Sequence, residues 1–358
     1  MQSVLQAPSP RRRASDAAAL QFSVTGYHGF EDEILRLHND NRPLAKTRRW
    51  LDWRYARLSD VPAPRVFWMR HSDGSAVGMA SLVFRRYWVN GSPRDIAVLG
   101  DISLHEHLRG RGLGRQLMSF VGWHLNSLPH HAALVVPNTS AVRSLSATGW
   151  TTAGALVPHV FIVDPTELCT RLVRNQWLGR ATAAVFKGVV GIGLRLTQPM
   201  HASLQIVDDV DESFDRFWRD FPKDNLTLRD MSQETLRWRY IRHPDYRFRI
   251  AKLMSRDELM GYLVFYLDPD LRTCSIADVL VKRPGDLRPM LTMFARHCQH
   301  ITGLSSIRLV LSDQHPYRHI PWRSGYVRRP AQAIFQVHAA EKCFDRCAWN
   351  VTLGDKDV

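Results

Sequence analysis

Two spacings of apolar residues alternate along the chain. Phe30 to His38 and Phe214 to Phe221 carry a helical pattern. Val66 to Arg70 and Val77 to Tyr87 alternate or run continuously apolar, which predicts strands. Val98 to Leu104 predicts a buried strand and Leu113 to Leu128 a helix. Ala132 to Val136 predicts a short apolar strand, followed by a helix from about Ser140 to Thr148. Strands mixed with helices in this order predict an α/β (α+β) domain built on one central sheet.

The pattern occurs twice. Leu51-Asp52-Trp53-Arg54-Tyr55 returns as Leu236-Arg237-Trp238-Arg239-Tyr240, an offset of 185. Gly78 with Leu82-Val83-Phe84 returns as Gly261 with Leu263-Val264-Phe265. Asp101 returns as Asp278, and Gly149-Trp150 as Gly325-Tyr326. Landmarks in one order, with offsets drifting only by small deletions, indicate two copies of one domain. The expected organisation is a disordered basic tail over 1–21, a first domain over 22–164, a helical connector over 165–204, a second domain over 205–340 and a tail over 341–358.

The length of 358 residues agrees with two domains. Apolar residues at 45% and charged residues at 23% describe globular domains. A surplus of 48 basic over 34 acidic residues leaves +14, which suits an anionic partner: a nucleotide, a nucleic acid or an acidic membrane surface. No nucleic-acid module accompanies the charge, and the basic residues are spread along the chain, so nucleic acid is not the favoured partner. Five cysteines without a Cys-x-x-Cys pair argue against a disulfide framework and a zinc ribbon, and a cytoplasmic location is expected. Arg11 to Arg13 in the opening stretch leave a transit peptide as the alternative. No metal site is expected: His315 and His319 stand one helical turn apart, but Pro316 lies between them and no third ligand is in view.

The connector mixes Arg171, Arg174, Arg180, Lys187 and Arg195 with Leu168, Leu172, Trp177, Val185, Phe186 and Leu196. Its apolar run Ala181 to Leu194 is interrupted by Lys187 and is shorter than the roughly 20 residues a bilayer requires. Packing between the domains is one reading. Peripheral contact of 168–196 with an anionic membrane is the other.

The strongest local signal is Leu108-Arg109-Gly110-Arg111-Gly112-Leu113-Gly114-Arg115, between a buried strand and a helix. Glycines allow close backbone approach and positive φ, and the first amides of a helix have no partner within it. Together with the helix dipole and three arginines, they make a site for a phosphate or diphosphate. No Gly-Lys-Ser/Thr follows, so the loop is not a P-loop, and it lacks the setting of a dinucleotide fingerprint.

Arg109-x-x-Gly112-x-Gly114 resembles the acetyl-CoA pyrophosphate loop of the GNAT superfamily of N-acetyltransferases. Asp101 to Glu106 resembles that superfamily's fourth strand, and Asn138-x-x-Ala141 with Gly149-Trp150 resembles its second signature. The resemblance covers about 60–160 and implies two tandem GNAT-like domains, each a mixed central sheet flanked by helices. The second copy reads Pro284-Gly285-Asp286-Leu287-Arg288-Pro289 at the loop, without the glycine pair and with prolines where amides are needed, so only the first is expected to bind coenzyme A. Trp-Arg-Tyr near the start of each copy also resembles acyltransferases of bacterial polysaccharide and cell-envelope pathways.

The resemblance further implies the roles of residues. Backbone from Leu108 to Gly114, with Arg109, Arg111 and Arg115 nearby, would hold the pyrophosphate. Asn138 would sit near the coenzyme arm, and the backbone amide near Leu104 would polarise the acyl carbonyl. Asp101, Glu106 and His105 are candidate general bases. Asp278 at the position matching Asp101 favours a structural role for both aspartates. Many members place a tyrosine acid seven residues after the signature asparagine, where this chain has Leu145. The expected activity is transfer of an acetyl or longer acyl group from acetyl-CoA to a primary amine of a small metabolite, amino sugar or envelope precursor. The alternative is a catalytically inactive coenzyme-A-binding or scaffold protein. Trp53-Arg54-Tyr55 and Trp238-Arg239-Tyr240 read as packing clusters or as stacking sites for a sugar or peptide.

Overall fold

The computed structural model describes residues 20–56, 58, 61–128, 132–173, 175–196, 202–268, 270–339 and 347–356. The expected basic tail with Arg11 to Arg13, the His130-His131 pair, Arg174 and Cys343 lie outside the described residues, as do the side chains of Arg195 and Leu196. The first half of the chain forms β1 (Gln21–Thr25), α1 (Glu31–Asp40), α2 (Arg48–Arg54), β2 (Arg65–Arg70), β3 (Ala76–Val89), β4 (Ser92–Leu104), α3 (Leu113–Asn126), β5 (Ala132–Val135), α4 (Thr139–Ser146) and β6 (Thr151–Ile162). Helices α5 (Thr166–Val173) and α6 (Gln176–Leu196) follow. The remainder forms β7 (Ser203–Val207), α7 (Glu212–Asp220), β8 (Leu226–Arg229), α8 (Gln233–Leu236), β9 (Arg249–Ser255), β10 (Glu258–Asp268), β11 (Thr273–Val281), α9 (Leu287–Gln299), β12 (Ser306–Ser312), β13 (Val327–Arg328), β14 (Ala333–Ala339) and β15 (Ala348–Trp349).

The chain divides into two compact units. The first runs to Gly154 and takes in Ala333–Cys347; the second holds Ala155–Gln332 and Ala348–Lys356. In the first unit the strands lie in the order β1-β2-β3-β4-β5-β14. All neighbours are antiparallel except β4 and β5, which are parallel. The second unit repeats the order as β7-β9-β10-β11-β12-β6, with β11 and β12 the parallel pair. Each unit thus takes its last strand from the other copy's stretch of sequence, across the boundaries that the repeat alone suggests.

In the first unit α3 turns Leu117, Met118, Phe120, Val121 and Leu125 into the core. They pack with Phe67, Leu82, Leu99 and Val135 of the sheet, and the rings of Phe67 and Phe120 meet edge to face at 5.9 Å. Fully burying an aliphatic or aromatic side chain of this kind contributes about 1.5–3 kcal/mol, which fixes α3, and with it the loop at its head, against the sheet.

The glycine landmarks of the repeat have a packing cause. Gly78 of β3 pairs with Leu104 at the end of β4, and a Cβ on Gly78 would stand 2.9 Å from Leu104 Cδ1 and 3.2 Å from the Ser103 carbonyl. Gly261 pairs with Val281 at the end of β11, where a Cβ would stand 2.6 Å from Val281 Cγ1. Both glycines let the neighbouring strand approach where it leaves the sheet.

Candidate functional site

Strands β4 and β5 pair at Ala97–Ala133 and Val98–Leu134, and there the pairing stops. β4 nevertheless continues to Leu104. From Leu99 onward its β5-facing edge has no strand partner among the described residues, so backbone donors and acceptors line a wedge between the two strands.

The glycine-rich loop closes one end of this wedge. Gly110 and Gly112 take φ of +77° and +81°, a left-handed conformation that strains any side-chain-bearing residue. Gly112 is the residue at the head of α3, where its carbonyl accepts from Arg115 N–H at 3.1 Å. The amides ahead of that bond face out of the helix and carry the positive end of its dipole. A Cβ on Gly110 or Gly112 would meet nothing within 4 Å, which leaves the space over the loop open to a ligand. Arg111 and Arg115 are exposed. Arg109 serves the loop differently: its Nε donates to the Leu104 carbonyl at 3.2 Å and its Nη2 to Asn41 Oδ1 at 2.6 Å, bracing the loop against β4 and the end of α1.

Asn138 stands ahead of α4 and caps it, with Oδ1 accepting from Ala141 N–H at 2.9 Å and from Ser140 at 2.8 Å. The cap commits the side-chain oxygen, and the residue is exposed. Leu145, at the position of the expected acid, is fully buried in the core. Ser144 points the other way, with its Oγ 3.4 Å from where a Gly114 Cβ would lie.

Asp101 occupies a bulge in β4 and has φ of +50°. Its carboxylate is buried beneath the wedge and accepts from Tyr55 OH at 3.0 Å and Ser81 Oγ at 2.8 Å. Arg54 Nε lies 3.7 Å from it and His38 Nδ1 3.4 Å. Burial alone would raise the pKa of this carboxyl, but the Arg54 charge, with His38 and Ser81, outweighs burial and holds it well below the usual carboxylate range. A carboxylate so stabilised is a weak base. The Trp-Arg-Tyr motif therefore supplies two of the groups that hold Asp101, while Trp53 packs in the core. His38 and Ser81 belong to the same cluster and carried no signal in the sequence. His105 and Glu106 follow the strand: His105 is half-buried, its ring stacked on His107 at 5.7 Å, and Glu106 is exposed.

The second unit holds the corresponding parts in another state. Asp278 of β11 accepts from Tyr240 OH, the counterpart of Tyr55, and from Arg229 Nη2 at 2.5 Å. Its wedge is filled by the chain's own residues 350–355. Thr352 bridges to Leu311 of β12 and donates its hydroxyl to Asp278 at 2.9 Å. Ser312 N–H donates to the Val351 carbonyl at 2.8 Å, and Arg229 Nη1 to the Gly354 carbonyl at 2.8 Å. A Cβ on Gly354 would clash with Tyr240 OH at 2.2 Å, a measure of how tightly the segment is seated. The turn ahead of α9 places Asp286 at the head of the helix, the position of Gly112 in the first unit. A carboxylate there opposes a second anion. His315 is buried and bonds to Asn350 Oδ1 at 2.8 Å, serving this segment. Neither the plugging segment nor Arg229 was marked by any motif.

Residues 30–143, within the first unit, match the family model of the acetyltransferase (GNAT) family. No curated protein sequence matches the chain. Among solved structures, a conserved protein of unknown function from Enterococcus faecalis, described as a probable N-acyltransferase, is similar at 10% identity and a TM-score of 0.61, over 90% of this chain and 73% of that one. A tandem GNAT protein from the clavulanic acid biosynthesis pathway is similar at 15% identity and a TM-score of 0.53, over 90% of this chain and 99% of that one. N-myristoyltransferase of Saccharomyces cerevisiae, solved with bound myristoyl-CoA, is similar at 9% identity and a TM-score of 0.55, over 96% of this chain and 91% of that one. At these identities the likeness concerns the fold, and it extends through both units.

Proposed function

We propose that this chain, which carries a GNAT domain over residues 30–143, is an acyltransferase with one working coenzyme site. It would move an acetyl group, or a longer acyl group, from acyl-CoA to a primary amine of a small metabolite, amino sugar or envelope precursor. The observation that carries the reading is the wedge between β4 and β5, bounded by a loop whose amides and glycines suit a pyrophosphate.

Each residue then has a task. Amides from Leu108 to Gly114 receive the pyrophosphate, Arg111 and Arg115 add positive charge, and Arg109 keeps the loop in place. The free edge of β4 pairs with the pantetheine arm as an added strand would. Asn138 donates from the opposite side, and the amide near Leu104 polarises the thioester carbonyl. The amine nitrogen attacks that carbonyl, the carbon–sulfur bond breaks, and the amine gives up a proton. Glu106 and His105, at the mouth of the wedge, are better placed to take it than Asp101, whose buried and strongly stabilised carboxylate positions the bulge. With Leu145 in the core, the thiolate leaves without a tyrosine acid. A cysteine thiol has a pKa of about 8.5, and a coenzyme thiol of comparable acidity can depart as the thiolate near neutral pH.

Leu145 also favours a second reading, a coenzyme-A-binding protein without turnover. Thermal unfolding with and without acetyl-CoA, followed by assay of free thiol across a panel of amines, separates the two. An enzyme is stabilised and releases thiol with at least one amine. A binding protein is stabilised and releases none. Absence of any stabilisation at millimolar acetyl-CoA, in folded protein, defeats both.

A further inference from the structure

Helices α5 and α6 leave a large apolar surface uncovered. On α6, which packs against α5 and α9, Ala183 and Leu194 are the buried apolar side chains, a narrow stripe for a helix running from Gln176 to Leu196. Trp177, Leu178, Val185, Val189 and Ile192 lie on the other side, Trp177 at 75%, Val185 at 67% and Val189 at 66% exposure. Leu172 of α5 is exposed at 73%. Beside α6 opens an apolar groove of about 370 Å³, lined by Phe161, Phe186, Val190, Leu194 and Val327, with Arg323 at its rim. The neighbouring Trp322 is 65% exposed. Scattered exposed apolar residues are ordinary, but Trp177, Val185, Val189 and Ile192 recur on one side of α6, and an apolar stripe of that kind marks a contact surface.

Charge tells what covers it. Arg171 of α5 and Arg180 and Lys187 of α6 are cations of these two helices, Lys187 with its ammonium 2.9 Å from Asp164, and Glu167 is the one acid in either helix. Its carboxylate lies 3.5 Å from Arg171. The chain as a whole carries +14. A helix with aliphatic and tryptophan side chains outward and cations along its flank suits the interface of an anionic bilayer, where the chains enter the acyl boundary and the cations meet phosphate headgroups. No helix among the described residues is long and apolar enough to cross a membrane. We infer that α5 and α6 dock this protein onto anionic membrane surfaces, with α6 lying in the plane of the interface.

The test is sedimentation of the full-length protein with phosphatidylcholine vesicles, with and without phosphatidylglycerol. Binding is expected to the anionic vesicles and to fall as salt rises. The double variant Val185→Asp/Val189→Asp should abolish it. Arg171→Glu/Arg180→Glu should weaken it by about tenfold or more. Both variants should keep any stabilisation by acetyl-CoA, which separates loss of docking from loss of fold and from failure of the coenzyme reading. Three results overturn the inference: no partition into anionic vesicles, equal and salt-independent binding to neutral ones, or a dimer that Val185→Asp/Val189→Asp converts to monomer while vesicles bind neither form. The last would assign the face to a second copy of the chain.

Discussion

The two units build the same sheet order around the same aspartate and use it differently. In the first, β4 and β5 part, and the space between them is bounded by a glycine loop and a helix head without acidic residues. In the second, β11 and β12 part after Ile276 and Leu309, and residues 350–355 fill the gap. Asp101 is held in its charged form by Arg54, Tyr55, Ser81 and His38. Asp278 shares one guanidinium, Arg229, with a second carboxylate, Asp355. Burial and the nearby Asp355 raise the pKa of Asp278, against the pull of Arg229. A parted pair of strands is thus a feature of the fold. In the second unit the reach of a distant segment decides that the chain itself fills it.

The contrast can be broken most forcefully at Arg229. Arg229→Met should remove the guanidinium that the buried Asp278 and Asp355 share and cost about 3–5 kcal/mol. Thermal unfolding should show the second unit melting early, with the acetyl-CoA effect on the first unit preserved. If coenzyme binding disappears with it, the second unit's plug is not a separate structural feature.

The next largest effect is expected at the loops. At about 100 times its Kd, acetyl-CoA should stabilise the wild-type protein by about 2.7 kcal/mol. Gly112→Glu should remove that gain, through strain at positive φ and a carboxylate over the helix head, whereas Gly285→Glu should leave it intact. Equal losses from both variants would mean that the units do not differ as ligand sites.

Acid should separate the units by a smaller amount. Burial pushes His315 down to about 3, against the Asn350 hydrogen bond that raises it. The folded second unit therefore resists protonation that the unfolded chain accepts below about pH 6.5. Stability is fully present above that pH and falls as pH drops, by about 1.4 kcal/mol per unit for one proton, until the folded residue itself titrates. Asp101 contributes in the same direction in the first unit, but only once pH falls below the ordinary carboxylate range near 3.9. Urea unfolding between pH 7 and 5 should thus weaken the second unit by this route, and His315→Gln should flatten the slope.

The smallest change is expected at Asn138. Asn138→Ala removes the α4 cap and should cost about 1 kcal/mol in stability. If Asn138 also donates to the coenzyme arm, Asn138→Asp should keep the cap and still weaken acetyl-CoA binding. Unchanged binding in Asn138→Asp would confine the residue to capping.

Much of this was legible in the chain, because local physics repeats itself in sequence. Apolar spacing marked β4, α3 and β5, since a strand edge and a helix face must bury their residues at fixed periods. The Gly78 and Gly261 landmarks persisted because a strand crosses each of them too closely for a Cβ. Tyr55 and Tyr240 recurred because each holds a buried aspartate. The loop was visible because positive φ at Gly110 and Gly112 demands glycine. His38 left no trace because one histidine on a helix looks the same whether it faces water or a carboxylate 60 or so residues away in the chain.

The sequence by itself determined that there are two copies of one fold, that one carries a glycine-rich loop ahead of its helix and that the other lacks the glycine pair there. Periodicity, turn chemistry and repeats are short-range properties, written in consecutive residues. Tertiary structure alone decided that each unit is completed by a strand from the other copy's sequence, that Asp101 is buried among Arg54, His38 and two hydroxyl donors, and that residues 350–355 occupy the second wedge. These depend on which distant segments meet, and strand edges accept any backbone of suitable reach, so no local pattern records the choice.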